Sequence, residues 1–206
     1  KLDSKNGTIL FEKPVKKTSH AGMVSYFDLI IFADDAGRLT AINKSNGDVI
    51  WETSVSQSAI YADLRIMNHV LYTASIGGVF SAINPIDGKI IWQRSFNSPL
   101  YAPHASDGKT LYFGSNDRHF YALDLEGNTI WTIETEAIIN SEALISPNYV
   151  YFGNGAGNFM ICQKDSGKIV WSKEFEGRFI SSPIAYKDEL LVFTDNDDLY
   201  LMKSKK

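Results

Sequence analysis

Leu39–Trp51 reads LTAINKSNGDVIW, Phe80–Trp92 reads FSAINPIDGKIIW, and Phe120–Trp131 reads FYALDLEGNTIW. In each, an apolar, strand-forming run is cut by polar turn residues around a glycine, and a tryptophan follows that glycine by four positions. The same arrangement recurs outward, at Gly167 with Trp171 and at Gly7 with Phe11. Phe11, Trp51, Trp92, Trp131 and Trp171 are therefore separated by 40, 41, 39 and 40 residues. A self-similar period of that length, running the whole chain, decides the fold class before any other argument.

One repeat shows what the period contains. Between Ser98 and Glu134, four β-branched and aromatic runs stand out, at Leu100–Ala105, Thr110–Gly114, His119–Asp124 and Asn128–Ile133, separated by the turns SDGK, GSNDR and LEGN. Nothing shows apolar residues at helical spacing over a long window, and the connections are short, so helices have little room. Four antiparallel strands per repeat are predicted. A lone four-stranded sheet has two faces and cannot bury both, so successive sheets must stack. Repeats of about 40 to 45 residues with four strands are the blades of a β-propeller.

The glycines Gly7, Gly47, Gly88, Gly127 and Gly167 fall in the turn between third and fourth strands, where a tight hairpin requires φ > 0. The aromatic that follows lies on the fourth strand, placed to fill the gap between one sheet and the next. Burial there contributes roughly 1.5–3 kcal/mol per aromatic. These ten residues are predicted to be structural.

The pattern Ala-x-Asn/Asp-x-x-x-Gly-x-x-x-Trp, carried by Ala41, Asn43, Gly47 and Trp51 and by Ala82, Asn84, Gly88 and Trp92, resembles the tryptophan-docking repeat of quinoprotein-like (PQQ-like) β-propellers. The third copy, Ala122, Asp124, Gly127 and Trp131, is one residue shorter before its glycine. The fourth has Ile161 and Gln163 at the alanine and acidic positions, and the first begins late and carries Phe11 for tryptophan. The resemblance spans the chain and is specific for the fold. It is not specific for function, because this fold hosts enzymes and binding proteins alike.

The phase of the repeat relates the two ends. Lys1–Gly7 matches Ala41–Gly47, and Asp198–Lys203 matches Arg38–Asn43, a third strand. A fourth strand for that last repeat is offered by Thr8–Pro14, so the expectation is five blades in one domain, residues 1–206, closed by pairing the terminal strands. The alternative is a fragment of a seven- or eight-bladed ring. An N-terminal lysine reads as a processed or excised chain.

With 44% hydrophobic residues and a formal net charge of −4, the chain can bury one substantial core but lacks the basic surplus of a nucleic-acid binder. No apolar run is long enough to span a membrane, so no direct insertion is expected. The single Cys162 falls on an apolar third-strand position and reads as a buried, inert thiol, with no internal disulfide possible. Cysteine usage does not separate compartments; only the resemblance favours a periplasmic or otherwise extracytoplasmic site.

Catalytic constellations are not found. His20, His69, His104 and His119 lack metal-ligand spacing, and Gly153–Gly157 lacks the Lys-Ser/Thr and following helix of a phosphate loop. Asp and Asn cluster between second and third strands, which suits calcium but equally suits turns. No metal and no catalytic residue are predicted. The binding candidates are the positions that a propeller brings to one mouth: His20, Tyr61, Tyr101, Asn140 and Ser181 in one register, then Asp63, Pro103, Glu142 and Pro183, with His104 nearby. The second-to-third-strand loops add Asp34, Ser75, Asn116, Arg118, Asn154 and Asp195.

Three functions are compatible with this pattern. The favoured one is a non-catalytic binding or scaffold propeller for a protein partner or small ligand, as in the outer-membrane assembly lipoprotein and kinase-attached sensor propellers that the repeat resembles. A PQQ- and calcium-dependent dehydrogenase is the second, but the adjacent-cysteine disulfide of such enzymes is impossible here and their long insertions are missing, so no cofactor is expected. A small-ligand or glycan sensor using Tyr61 and Tyr101 is the third. The oligomeric state is left open.

Overall fold

The computed structural model describes residues 1–12 and 17–203. It is all-β: no helix occurs among the described residues. The chain divides into two compact units, Lys1–Gln93 and Arg94–Lys206.

In the first unit, β1 (Val24–Tyr26), β2 (Leu29–Ala33), β3 (Arg38–Asn43) and β4 (Val49–Ser54) form one antiparallel sheet in sequence order. A second sheet follows with β5 (Arg65–Met67), β6 (Val70–Ala74), β7 (Val79–Ile83) and β8 (Ile90–Ser95), the last running across the unit boundary. Ile31, Leu39, Trp51, Ile60, Leu71 and Ile83 pack into one buried cluster between these sheets. In the second unit come β9 (Ala105–Ser106), β10 (Thr110–Gly114), β11 (His119–Asp124) and β12 (Thr129–Glu134). They are followed by β13 (Leu144–Ile145), β14 (Tyr149–Gly153), β15 (Asn158–Gln163) and β16 (Ile169–Glu174), and finally by β17 (Ile184–Tyr186), β18 (Glu189–Phe193) and β19 (Leu199–Lys203). One sheet per repeat is thus observed. The predicted first strand of the third repeat is shorter than expected, because Leu100–His104 is an irregular lead-in and only Ala105–Ser106 pairs.

A β-bulge explains the motif. In the first, third and fourth sheets the register slips once between third and fourth strands, so that Ile50, Ile130 and Val170 are extra residues. The slip leaves Val49 and Ile50 both exposed and turns Trp51 inward opposite Ala41. Trp131 is likewise opposite Ala122, which is why the repeat wants a small residue there.

The last sheet departs from expectation. It is three-stranded, and among the described residues β19 pairs with β18 alone. The expected donor, Thr8–Pro14, is described to Glu12; Lys13 and Pro14 lie outside the described residues. Its described part pairs locally instead: Leu2 bridges Ile9, the Asp3 amide donates to the Thr8 carbonyl, and the Asn6 side chain accepts from the Thr8 amide.

Candidate functional site

The aromatic series comes first, because it fixes where every loop sits. Trp51 is 8% exposed, its Nε1–H donating to the Pro85 carbonyl at 3.1 Å. A Cβ added to Gly88 would lie 2.5 Å from the Trp51 ring, so the glycine of one repeat is the floor under the tryptophan of the preceding one. Trp131 repeats this in the second unit: it is 8% exposed, its Nε1–H donates to the Lys164 carbonyl at 2.8 Å, and Gly167 lies on its ring. Trp92 stacks on Phe80 at 5.9 Å. Glycine therefore serves both the positive φ of the turn, +72° at Gly88, and this close approach.

The candidate binding residues lie where each sheet's lead-in segment meets its own second-to-third-strand turn. The junction is a backbone hydrogen bond repeated in every sheet: Asp35 to Thr18, Ile76 to Ala59, Asn116 to Pro99, Gly155 to Ile138 and Asp195 to Arg178, each amide donating to the carbonyl named. The repetition corrects two register assignments. Asp34, Ser75, Ser115, Asn154 and Thr194 are equivalent, all buried, so Asn116 and Asp195 stand one position beyond Asp34 and Asn154. On the lead-in, Ile180 and not Ser181 matches His20, Tyr61, Tyr101 and Asn140, and Ser182 replaces Pro183 two residues on. Ser181 instead donates to the Phe193 carbonyl as Ser141 does to that of Gly153.

The equivalent buried residues build turns. Asp34 Oδ1 accepts from the Ala36 and Arg38 amides while its Oδ2 holds the Arg38 guanidinium at 3.0 Å. Asn154 Oδ1 accepts from the Ala156 and Asn158 amides. The Asp/Asn clustering thus has a turn explanation. Arg118 has φ +68° where Gly37, Gly78 and Gly157 stand in other repeats, and it lines a polar cleft with Glu134 and Glu136.

In the first unit the structure brings His20, Asp35, Tyr61 and Asp63 together. His20 Nδ1 lies 2.9 Å from Asp35 Oδ1, and its ring meets Tyr61 edge-on with centroids 4.9 Å apart. Asp63 Oδ1 accepts the Gly22 amide at 2.7 Å, tying the two lead-in segments. Tyr61 remains 39% exposed despite these contacts. In the second unit Tyr101 is similarly exposed, Glu142 is half-buried, and the Oδ1 atoms of Asn116 and Asn140 are buried without a protein hydrogen-bond partner among the described residues. His104 is buried and belongs to the interior, not the surface. A pair missed by sequence reading is Arg178 with Asp195, at 2.6 Å. The Arg178 amide and guanidinium hold the Asp195 carboxyl below the ordinary carboxylate range. The signal was available as an arginine 17 residues before an aspartate, the offset of the backbone junction.

Cys162 is fully buried, and burial pushes its thiol up to about 12, so it is no nucleophile at neutral pH. Among the described residues no group of three or more His, Cys, Asp or Glu side chains converges as a metal site. No helix among them is long and apolar enough to cross a membrane.

Residues 1–67, 59–159 and 135–205 match the sequence family described as Outer membrane protein assembly factor BamB. The chain belongs to this family. A crystal structure of BamB from Moraxella catarrhalis superposes with a TM-score of 0.82 at 16% identity, covering 96% of this chain and 65% of that one. The computationally designed Ika8 protein gives 0.77 at 11% identity, covering 88% and 57%, and a chain of the mitotic checkpoint complex gives 0.74 at 16%, covering 86% and 58%. These likenesses establish the β-propeller fold, and this BamB-family chain spans about two thirds or less of the length of each. No curated protein matches its sequence.

Proposed function

We propose that this BamB-family chain is a non-catalytic binding module that holds a protein partner in the assembly of outer-membrane proteins, through the lead-in segments and adjacent turns. The observation that carries the reading is the Tyr61 cluster. An aromatic that is 39% exposed yet braced edge-on by His20, itself held by Asp35, is an anchor with little side-chain freedom left to lose on binding. Exposed, preorganised aromatics are where interface energy concentrates. Asp35 and Asp63 beside it favour a segment carrying basic residues. Tyr101, Asn140 and Glu142 supply the equivalent positions in the second unit.

The test uses tiled peptides from outer-membrane β-barrel proteins and from their assembly machinery, probed with the whole chain. Binding of a subset is expected, weakened at least tenfold in Tyr61→Ala and less in His20→Ala. A Tyr61→Ala protein that binds every positive peptide with unchanged affinity overturns the assignment of this surface. Addition of PQQ and Ca²⁺ is expected to leave the cofactor spectrum unchanged; a saturable change would place the chain with the quinone-dependent enzymes instead.

A further inference from the structure

Arg118 keeps a side chain at φ +68°, where Gly37, Gly78 and Gly157 fill the matching position in other repeats. Left-handed backbone retained under a large side chain raises the question of what that side chain does. Within the protein it does nothing: the turn's bonds to Thr135 use the Arg118 carbonyl, and the guanidinium has no ion pair or hydrogen bond among the described residues. Arg118 instead lines a cleft of about 590 Å³ between the third and fourth sheets.

The rest of the lining is chemically divided. Glu134 ends β12 and Glu136 follows it, both exposed and both without an ion pair or hydrogen bond among the described side chains. One cation and two anions therefore open onto the same cleft without neutralising one another. Asn154 lies deeper, 1% exposed; its Oδ1 is taken by the Ala156 and Asn158 amides, and its Nδ2 donates to no described residue. Asn158 and Ser172 add uncharged polar groups, and Met160 and Ile169 add apolar surface. The fourth repeat is an internal contrast. Its own cleft keeps two carboxylates, Glu174 and Glu176, but Gly157 stands where the third repeat has arginine.

We infer that this cleft binds a short peptide with both ends free. The peptide's terminal carboxylate pairs with the Arg118 guanidinium, whose planar fork suits it, and its terminal ammonium pairs with Glu134 and Glu136. Asn154 Nδ2 donates to a peptide carbonyl, the Asn158 and Ser172 side chains bond the remaining peptide groups, and one apolar side chain rests on Met160 and Ile169. The volume lies within the range of small-ligand sites and suits roughly two or three residues. An internal segment of a folded protein carries neither terminal charge and would leave the opposed charges of the cleft unanswered. The inference does not rest on the Tyr61 reading, because it concerns a different ligand at a different cluster of residues.

Titration calorimetry of the whole chain with the tripeptide alanyl-leucyl-alanine tests this. Saturable binding is expected, weakening as salt is added because its charge pairs are partly exposed. Acetylating the peptide's amine or amidating its carboxylate should each weaken binding by about tenfold or more, the effect of losing one charge-assisted pair. Arg118→Gly installs the residue that other repeats use in this turn, so the fold is kept, and it should make the free and amidated peptides bind alike. Glu134→Gln combined with Glu136→Gln should likewise make the free and acetylated peptides bind alike. Capped peptides test the site on the wild-type protein, which keeps the experiment decisive if a variant misfolds. No saturable binding of the free tripeptide overturns the inference. So does equal binding of the free and doubly capped peptides, which would point to an internal protein segment, and so does an Arg118→Gly protein that still distinguishes carboxylate from amide as the wild type does.

Discussion

The third and fourth sheets meet differently from the fourth and fifth, though one sequence pattern builds both junctions. At the first, Trp131 is sealed by Gly167 and the Lys164 carbonyl over a core that includes Tyr112, Phe120, Phe152 and Met160. Phe120 and Phe152 stack there with centroids 4.0 Å apart. At the second, the buried members among the described residues are Phe159, Phe179 and Val192, and Trp171 is 37% exposed. The difference teaches that the tryptophan is only half of the dock. Its burial depends on a turn from the following repeat, and the positions that match this turn for Trp171 lie outside the described residues.

The largest expected effect separates the two tryptophans. Trp131→Ala removes a large buried ring and its hydrogen bond, and should destabilise the second unit by about 3–5 kcal/mol. Trp171→Ala should cost about 1 kcal/mol or less, as partly exposed positions do. Denaturant unfolding of both variants checks the contrast, and equal losses would break it. The glycines come next. A Cβ at Gly88 would sit 2.5 Å from the Trp51 ring on a backbone with φ +72°, so Gly88→Ala combines overpacking and left-handed strain, about 2–4 kcal/mol together. Gly7→Ala carries the strain alone, about 1 kcal/mol. Thermal melts that rank the two in the opposite order would show that the glycine's turn role, not its contact with the ring, dominates.

How much of this was legible beforehand follows from what each feature depends on. The sheets were legible because the Gly-x-x-x-Trp spacing is local and repeats in phase. The bulges at Ile50, Ile130 and Val170 were not, because an extra residue in a β-branched run looks like any other strand residue. The turn register slipped by one in the third and fifth repeats because Ser115-Asn116 and Thr194-Asp195 each offer two turn formers side by side. A steric signal marks the proper position in four repeats: the preceding residue is small, Ala33, Ala74, Gly114 or Gly153. Cβ atoms at the two glycines would collide with Ile139 and Phe179 at 2.2 and 2.3 Å. The fifth repeat has Phe193 there, which hides the signal.

Sharper tests act on the turns. Arg118 occupies a left-handed position that three other repeats fill with glycine, and its carbonyl, not its side chain, makes the turn's bonds to Thr135. Arg118→Gly should therefore stabilise the third sheet by about 1 kcal/mol, the strain relieved less the entropy of the new glycine. A raised melting temperature without loss of peptide binding would confine Arg118 to the scaffold. Lost binding would add it to the interface.

The smallest effect belongs to the fifth sheet. Asp195 is the group that ties the fifth sheet's turn to its lead-in, through both the amide and the guanidinium of Arg178. Its folded carboxyl titrates below the ordinary value of 3.8, so the anion is the form that folding favours. The stabilisation is then full above the unfolded value and disappears as pH falls through the lower, folded one. At neutral pH Asp195→Asn should lower the melting temperature slightly, and the two proteins should converge as the medium is acidified below that range.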